Sequence, residues 1–201
     1  MPGPPRLVLA STSRYRRALL ERLGVPFDAL APDCDEAAHA DLAPLELART
    51  LAREKATSVR VDDALVIGSD QVVDLDGEVL GKPGTVAAAI EQLRRMSGRT
   101  HQLLTAVAVH DTRTGRTLDA VDVHRMEMRM LDARQIAAYV AHDAPLDCAG
   151  SYLLERRGAA LFSRVEADPE TADDTAIIGL PLMKMLRLLR ELGYDVLDAP
   201  P

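Results

Sequence analysis

Short apolar runs alternate with amphipathic stretches along the first half of the chain. Leu7–Ala10 is an apolar run of strand length, followed by hydroxyls at Ser11, Thr12 and Ser13 suited to capping a helix that the pattern carries to about Leu23, where Gly24 and Pro26 stop it. Phe27–Leu30 predicts a second strand, Asp33–Asp41 an acidic connection, and Pro44–Val59 a helix whose inward stripe is Ala48, Leu51, Ala52 and Val59. Ala64–Gly68 predicts a strand buried on both faces, because its apolar residues run without alternation. Asp76-Gly77 between Val/Leu runs signals a two-residue hairpin, since a type I′ turn needs positive φ at both central residues; pairing outward from it sets Gln71 opposite Lys82 and places Asp70 at the end of the buried strand.

The second half starts with a helix over Thr85–Met96. Leu103–His110 and Thr117–Met128 then read as two long strands around a turn at Thr114-Gly115, each with one solvated face. Asp132 caps a helix to about His142, Pro145–Tyr152 is a loop, Ala160–Val165 a strand, Ala167–Thr175 an acidic surface loop, and Pro181–Leu192 an amphipathic helix. Strands and helices alternate early and strands cluster later, which predicts an α/β fold: a mixed sheet with helices on its faces.

At 201 residues and 47% apolar content, the chain has material for one domain spanning 1–201, with room for two lobes. Its net charge of −7 argues against a nucleic-acid polymer as partner, because affinity there comes from many Lys/Arg contacts to phosphates. A small anion in a local basic pocket is compatible with that charge. Met1-Pro-Gly-Pro-Pro-Arg6 lacks the basic and apolar regions of a leader, and no run approaches the roughly 18 apolar residues of a membrane span, so the sequence reads as that of a soluble, cytoplasmic protein. Homodimerisation is compatible with it. Cys34, Cys148 and the five histidines show no metal-ligand spacing, so any metal would be held by oxygen ligands.

Candidate chemistry collects near the first two helices. Arg14, Arg16 and Arg17 stand in a first turn that already carries the positive end of the helix dipole, an arrangement that with Ser11 and Ser13 would cradle a di- or triphosphate; the alternative is three arginines splayed into water. Lys55 lies four residues after Leu51 on the inward stripe, where it either snorkels to solvent or points into a cleft and neutralises phosphate oxygens. In the second case Glu36 and Asp70 could hold a divalent cation, Mg²⁺ or Mn²⁺, bridging the same oxygens. Asp74-Leu-Asp76-Gly77 also resembles the signature of haloacid-dehalogenase-type phosphatases, in which Asp74 would be a covalent nucleophile, although Glu78 stands where that signature carries Thr.

Taken in order, these pieces resemble the Maf family of nucleoside triphosphate pyrophosphatases over nearly the whole chain. The matching motifs are Leu9-Ala-Ser11-x-Ser13-x-x-Arg16, Asp35-Glu36, Glu54-Lys55-Ala56, Gly68-Ser-Asp70-Gln71, Gly81-Lys82-Pro83, Ser97-Gly-Arg-Thr-His101, Ala149-Gly150-x-Tyr152 and Gly179-Leu180-Pro181. The resemblance implies an elongated α/β fold with a cleft between two lobes, and metal-dependent hydrolysis of a nucleotide to the monophosphate and pyrophosphate. It implies Asp70 as proton acceptor, Glu36 and Asp70 at the metal, and Glu36, Lys55 and Lys82 as further catalytic groups. Ser11, Arg16 and Arg17 fall to the phosphates. Gly-Ser-Asp70-Gln71 in place of the commoner Gly-Ala-Asp-Thr, Tyr15 and Glu155 are similar to the 7-methyl-GTP pyrophosphatase subgroup, which would give Tyr15, Gln71 and Glu155 the recognition of a cationic purine. The chain departs from the family pattern at Arg14 and Ala18, where Pro and Glu are usual. Rivals to this expectation are the same reaction on UTP or dTTP, the phosphatase, and a non-catalytic nucleotide-binding regulator.

Overall fold

A computed structural model of the chain describes residues 5–39 and 41–198. Most of the N-terminal segment read above as lacking a leader, and Ala40 in the acidic connection, lie outside them. Among the described residues the strands are β1 (Arg6–Ala10), β2 (Phe27–Leu30), β3 (Ala64–Leu75), β4 (Glu78–Leu80), β5 (Thr100–Asp111), β6 (Arg116–Met128) and β7 (Phe162–Ala167). They form a mixed seven-stranded sheet in the order β2-β1-β3-β5-β6-β7, with β4 paired to β3. β1 lies parallel to β2 and β3, whereas β3–β4 and β6–β7 are antiparallel. The helices are α1 (Arg14–Glu21), α2 (Pro44–Ser58), α3 (Val86–Met96), α4 (Ala133–Asp143), α5 (Thr175–Ile178) and α6 (Leu182–Glu191). The chain divides into two compact units, one of residues 1–70, 105–122 and 173–201, the other of 71–104 and 123–172.

In the first unit β1 and the start of β3 are buried on both faces. Leu7 and Leu9 of β1, with Leu65 and Ile67 of β3, pack against Leu19 and Leu20 of α1 and Met185, Leu188 and Leu189 of α6. The alternate residues Val8, Ala10, Ala64 and Val66 form a second cluster on the opposite face. This two-sided burial is why Ala64–Gly68 reads as an unbroken apolar run. Gly68 lies on that second face and lets α2 press onto the strand: a Cβ there would sit 2.3 Å from the Ala52 carbonyl oxygen and 2.5 Å from the Ala56 nitrogen. Both alanines are fully buried.

The second unit packs its own core. Leu93 and Met96 of α3, Ile136 and Val140 of α4, and Met126 and Met128 of β6 are buried. His101, Tyr152 and Phe162 cluster with ring centroids 4.9 to 5.8 Å apart. The His101 ring meets the Tyr152 hydroxyl at 3.1 Å, and burial pulls its pKa down to about 4, so the imidazole is neutral at physiological pH. Asp132 caps α4 through a full capping box with Gln135.

Several expectations need correction. β3 does not end near Gly68 but runs twelve residues through Asp70 to Leu75, so Asp70 is a mid-strand residue. Asp76 and Gly77 have φ of 55° and 88°, as the type I′ turn requires, and the register is the expected one. The ladder stops at Val73↔Leu80, however, before it reaches Gln71 and Lys82. β5 has no solvated face over Leu103–Val109, where Val107 and Val109 join the core against α1 and α6 and the alternate residues Ala106 and Ala108 are buried as well, while β6 alternates as expected from Ala120 onward.

Candidate active site

The pleat of β3 and the tight seat of α2 together place the central charges. Asp70 lies two residues beyond Gly68 and therefore points to the same face, toward α2. Lys55 lies between Ala52 and Ala56, the two residues pressed onto Gly68. Its ammonium reaches Oδ1 of Asp70 at 2.6 Å and Oε1 of Glu36, in the 3₁₀ turn Glu36–His39, at 2.7 Å. Lys55 and Asp70 are each only 7% exposed, which decides between the two fates open to the lysine: it does not snorkel to solvent. Burial disfavours the ammonium, but Asp70 and Glu36 outweigh that and raise its pKa, so it stays charged. Burial raises the Asp70 pKa above the usual carboxylate range, against the opposing pull of Lys55 and Arg16. The outcome is a carboxylate more basic than a solvated one, held by the Lys55 ammonium.

The three arginines of α1 have separate fates. Arg16 is half-buried, donates from Nε to the Gly179 carbonyl at 2.8 Å, and feels the charges of Asp70 and Glu36 while burial lowers its pKa. Its terminal nitrogens hydrogen-bond to no group among the described residues, a geometry able to take an anion in the guanidinium fork. Arg17 instead pairs with Glu21 one turn on, at 3.1 Å, on the exposed face. Arg14 lies over the Tyr15 ring, 4.8 Å from its centroid, and donates to the Tyr15 hydroxyl at 2.7 Å. Ser11 is buried, with Oγ accepting from the Ser13 N–H at 3.1 Å, and Ser13 caps α1.

The structure thus gathers Glu36, Lys55, Asp70 and Arg16 in the first unit. Gln71, half-buried, and the exposed Lys82 and Glu155 belong to the second. Asp74 accepts the Gly77 N–H at 2.6 Å and Asp76 pairs with Arg99, so both acids of the phosphatase-like signature serve the hairpin. Sequence reasoning gave no role to Ser69, Gly179 or Asp173. Ser69 is fully buried, with Oγ 2.7 Å from the Ala106 carbonyl oxygen and 2.9 Å from that of Gly179. Asp173, expected in a solvated loop, is buried: Oδ2 accepts from the Met183 N–H at 2.6 Å at the start of α6, and Oδ1 accepts from the Thr175 N–H at 3.1 Å. Its signal was present as an acid upstream of an uncapped helix beginning at Pro181.

No cluster of three or more His, Cys, Asp or Glu side chains among the described residues is arranged to hold an ion. Glu36 and Asp70, each bonded to the Lys55 ammonium, are nevertheless a pair of hard carboxylate donors. That set fits Mg²⁺ or Mn²⁺, which take one or two carboxylates and complete the shell with water and substrate phosphate.

The family model for Maf-like protein matches residues 6–192. The chain belongs to the Maf family. This Maf protein is 50% identical over 190 residues to a 7-methyl-GTP pyrophosphatase of Aromatoleum aromaticum, covering 94% of this chain and 96% of that one. It is 48% identical to a protein of the same name from Xanthomonas oryzae pv. oryzae, covering 96% and 99%. A third, from Burkholderia pseudomallei, is 46% identical with 98% and 93% covered. No helix among the described residues of this Maf protein is long and apolar enough to cross a membrane.

Proposed function

We propose that this Maf protein hydrolyses 7-methyl-GTP to 7-methyl-GMP and pyrophosphate. The observation that carries the chemistry is the buried Asp70 carboxylate, held 2.6 Å from a Lys55 ammonium that also bonds Glu36. A water attacks the α-phosphorus; Asp70 takes its proton, the new P–O bond stays with the nucleoside monophosphate, and the bond to the β-phosphate oxygen breaks to release pyrophosphate. A carboxylate whose pKa is raised by burial is a better base for that proton than a solvated one. Lys55 fixes the orientation of Asp70 and offsets charge on the phosphates, while the free fork of Arg16 and the Ser11 hydroxyl bind them. Mg²⁺ or Mn²⁺ held by Glu36 and Asp70 would neutralise phosphate charge when bound.

The base preference rests on different residues. N7-methylation puts positive charge on the purine, and the Tyr15 face that takes the Arg14 guanidinium is able to attract such a cation. The roles of Gln71 and Glu155 in base recognition, and of Lys82 and Arg17 toward phosphate, rest on the motif match, and each is open to substitution. Pyrophosphate release with Mg²⁺ or Mn²⁺ over 7-methyl-GTP, GTP, UTP, dTTP and CTP tests the assignment. Selective turnover of 7-methyl-GTP is expected. Preference for UTP or dTTP would keep the reaction and overturn the base assignment, and binding without turnover would favour a regulator.

A further inference from the structure

Arg16 feels the charges of Asp70 and Glu36, and its placement does not come from α1 alone. Its Nε is held by the Gly179 carbonyl oxygen at 2.8 Å. Gly179 has φ of 121°, in the region that favours glycine, directly after the short helix α5. The same carbonyl oxygen lies 2.9 Å from Oγ of Ser69, which is fully buried and one residue before Asp70 on β3. By the strand's alternation Ser69 points away from the face that carries Asp70 and Lys55. It shares its single proton between the carbonyls of Gly179 and Ala106. One strand dipeptide therefore reaches the candidate site from both sides: Asp70 directly, and Ser69 through Gly179 and Arg16.

We infer that Ser69 is a positioning residue for substrate phosphate binding: its hydroxyl fixes the Gly179 carbonyl, which in turn fixes the guanidinium of Arg16. The inference rests on the assignment of Arg16 to phosphate. Alanine at position 69 would leave Gly179 free to rotate its peptide, so the Arg16 fork loses its aim while Asp70 and Lys55 keep theirs. The loss falls on ground-state phosphate binding more than on the proton transfer.

The test is a double-mutant cycle on the full chain, with inorganic pyrophosphate plus Mg²⁺ as the calorimetric probe and 7-methyl-GTP as the kinetic one. Ser69→Ala is expected to weaken pyrophosphate binding and raise KM by about fivefold, the size of one hydrogen bond, with kcat changed less than twofold. In an Arg16→Ala background the same substitution should change neither, because the group it acts through is gone. A purely structural serine would instead lower binding by the same factor in both backgrounds, and that additivity overturns the inference, as does unchanged pyrophosphate affinity in Ser69→Ala. Should Ser69→Ala fail to fold, Ser69→Cys, which keeps the volume and weakens the donor, replaces it in the cycle. Pyrophosphate binding needs no turnover, so a chain that hydrolyses no nucleotide contradicts the proposed function while the cycle still decides the role of Ser69.

Discussion

Gly68→Ala probes the packing that brings Lys55 to Asp70. The new Cβ would stand 2.3 Å from a backbone oxygen and 2.5 Å from a backbone nitrogen of α2, against 3.4 Å or more for ordinary contact, so helix and strand must part by about 1 Å. Neither atom is the end of a flexible side chain, and the strain cannot be relieved by a rotamer change. Overpacking of this kind costs about 1–3 kcal/mol, which for a chain of this length lowers the melting temperature by about 5 °C. The same displacement carries Lys55 away from Asp70, and a 1 Å misplacement in a site costs on the order of 10²-fold in rate. Thermal melting followed by circular dichroism, together with kcat/KM on 7-methyl-GTP, reads both effects. A variant that melts within about 1 °C of the parent and keeps its kcat/KM would refute the claim that close helix–strand contact at Gly68 sets the geometry of the site.

Asp70 must be ionised to act as a base, and burial raises its pKa, so kcat/KM should fall with decreasing pH through a limb lying above the ordinary aspartate value of about 3.9; a profile flat down to about pH 4 contradicts the role. Lys55 has its pKa raised by its two carboxylate partners, so its contribution to stability is complete below the unfolded value of about 10.4 and is lost as pH rises through the folded value. Melting temperatures should accordingly drop more steeply in strong alkali for the parent than for Lys55→Met, and parallel curves would remove the pair from the stability account. Asp173→Ala strips the acceptor from the first turn of α6 and should lower the melting temperature by about 5 °C; a change below about 1 °C would show that the cap contributes nothing. Hydrolysis in ¹⁸O-water should label 7-methyl-GMP and leave pyrophosphate unlabelled, whereas label in pyrophosphate would move the attack to the β-phosphorus.

The first unit was legible in part because β1 and the start of β3 are buried on both faces and Ser13 caps α1. The apolar run before Gly68, the Asp76-Gly77 turn and the Asp132 cap each express a local rule that tertiary packing leaves intact. The length of β3 was not legible: beyond Gly68 the run passes through Ser69, Asp70 and Gln71, polar residues whose strand conformation is fixed by neighbouring strands rather than by their own preference. The solvated face expected for β5 failed for a related reason, since whether both faces of a strand are covered is decided by packing partners distant in sequence. Within the candidate site, the inward stripe of α2 marked Lys55 as anomalous without saying which acid met it. Arg14, Arg16 and Arg17 looked equivalent because composition cannot tell which guanidinium finds a carbonyl, a ring or a glutamate. Ser69 carried no signal of its own, and Asp173 carried only that of an acid upstream of an uncapped helix; both become informative when Gly179 and α6 are brought to them.

The proposed reaction depends on Asp70 as the base for attack at the α-phosphorus of a nucleotide. ³¹P NMR of 7-methyl-GTP incubated with Mg²⁺ and either the parent or Asp70→Asn tests this most directly. The parent should yield 7-methyl-GMP and pyrophosphate, and the variant, folded by circular dichroism, should be slower by about 10²–10⁴-fold. Release of orthophosphate with 7-methyl-GDP, or equal rates for the two proteins, would contradict it.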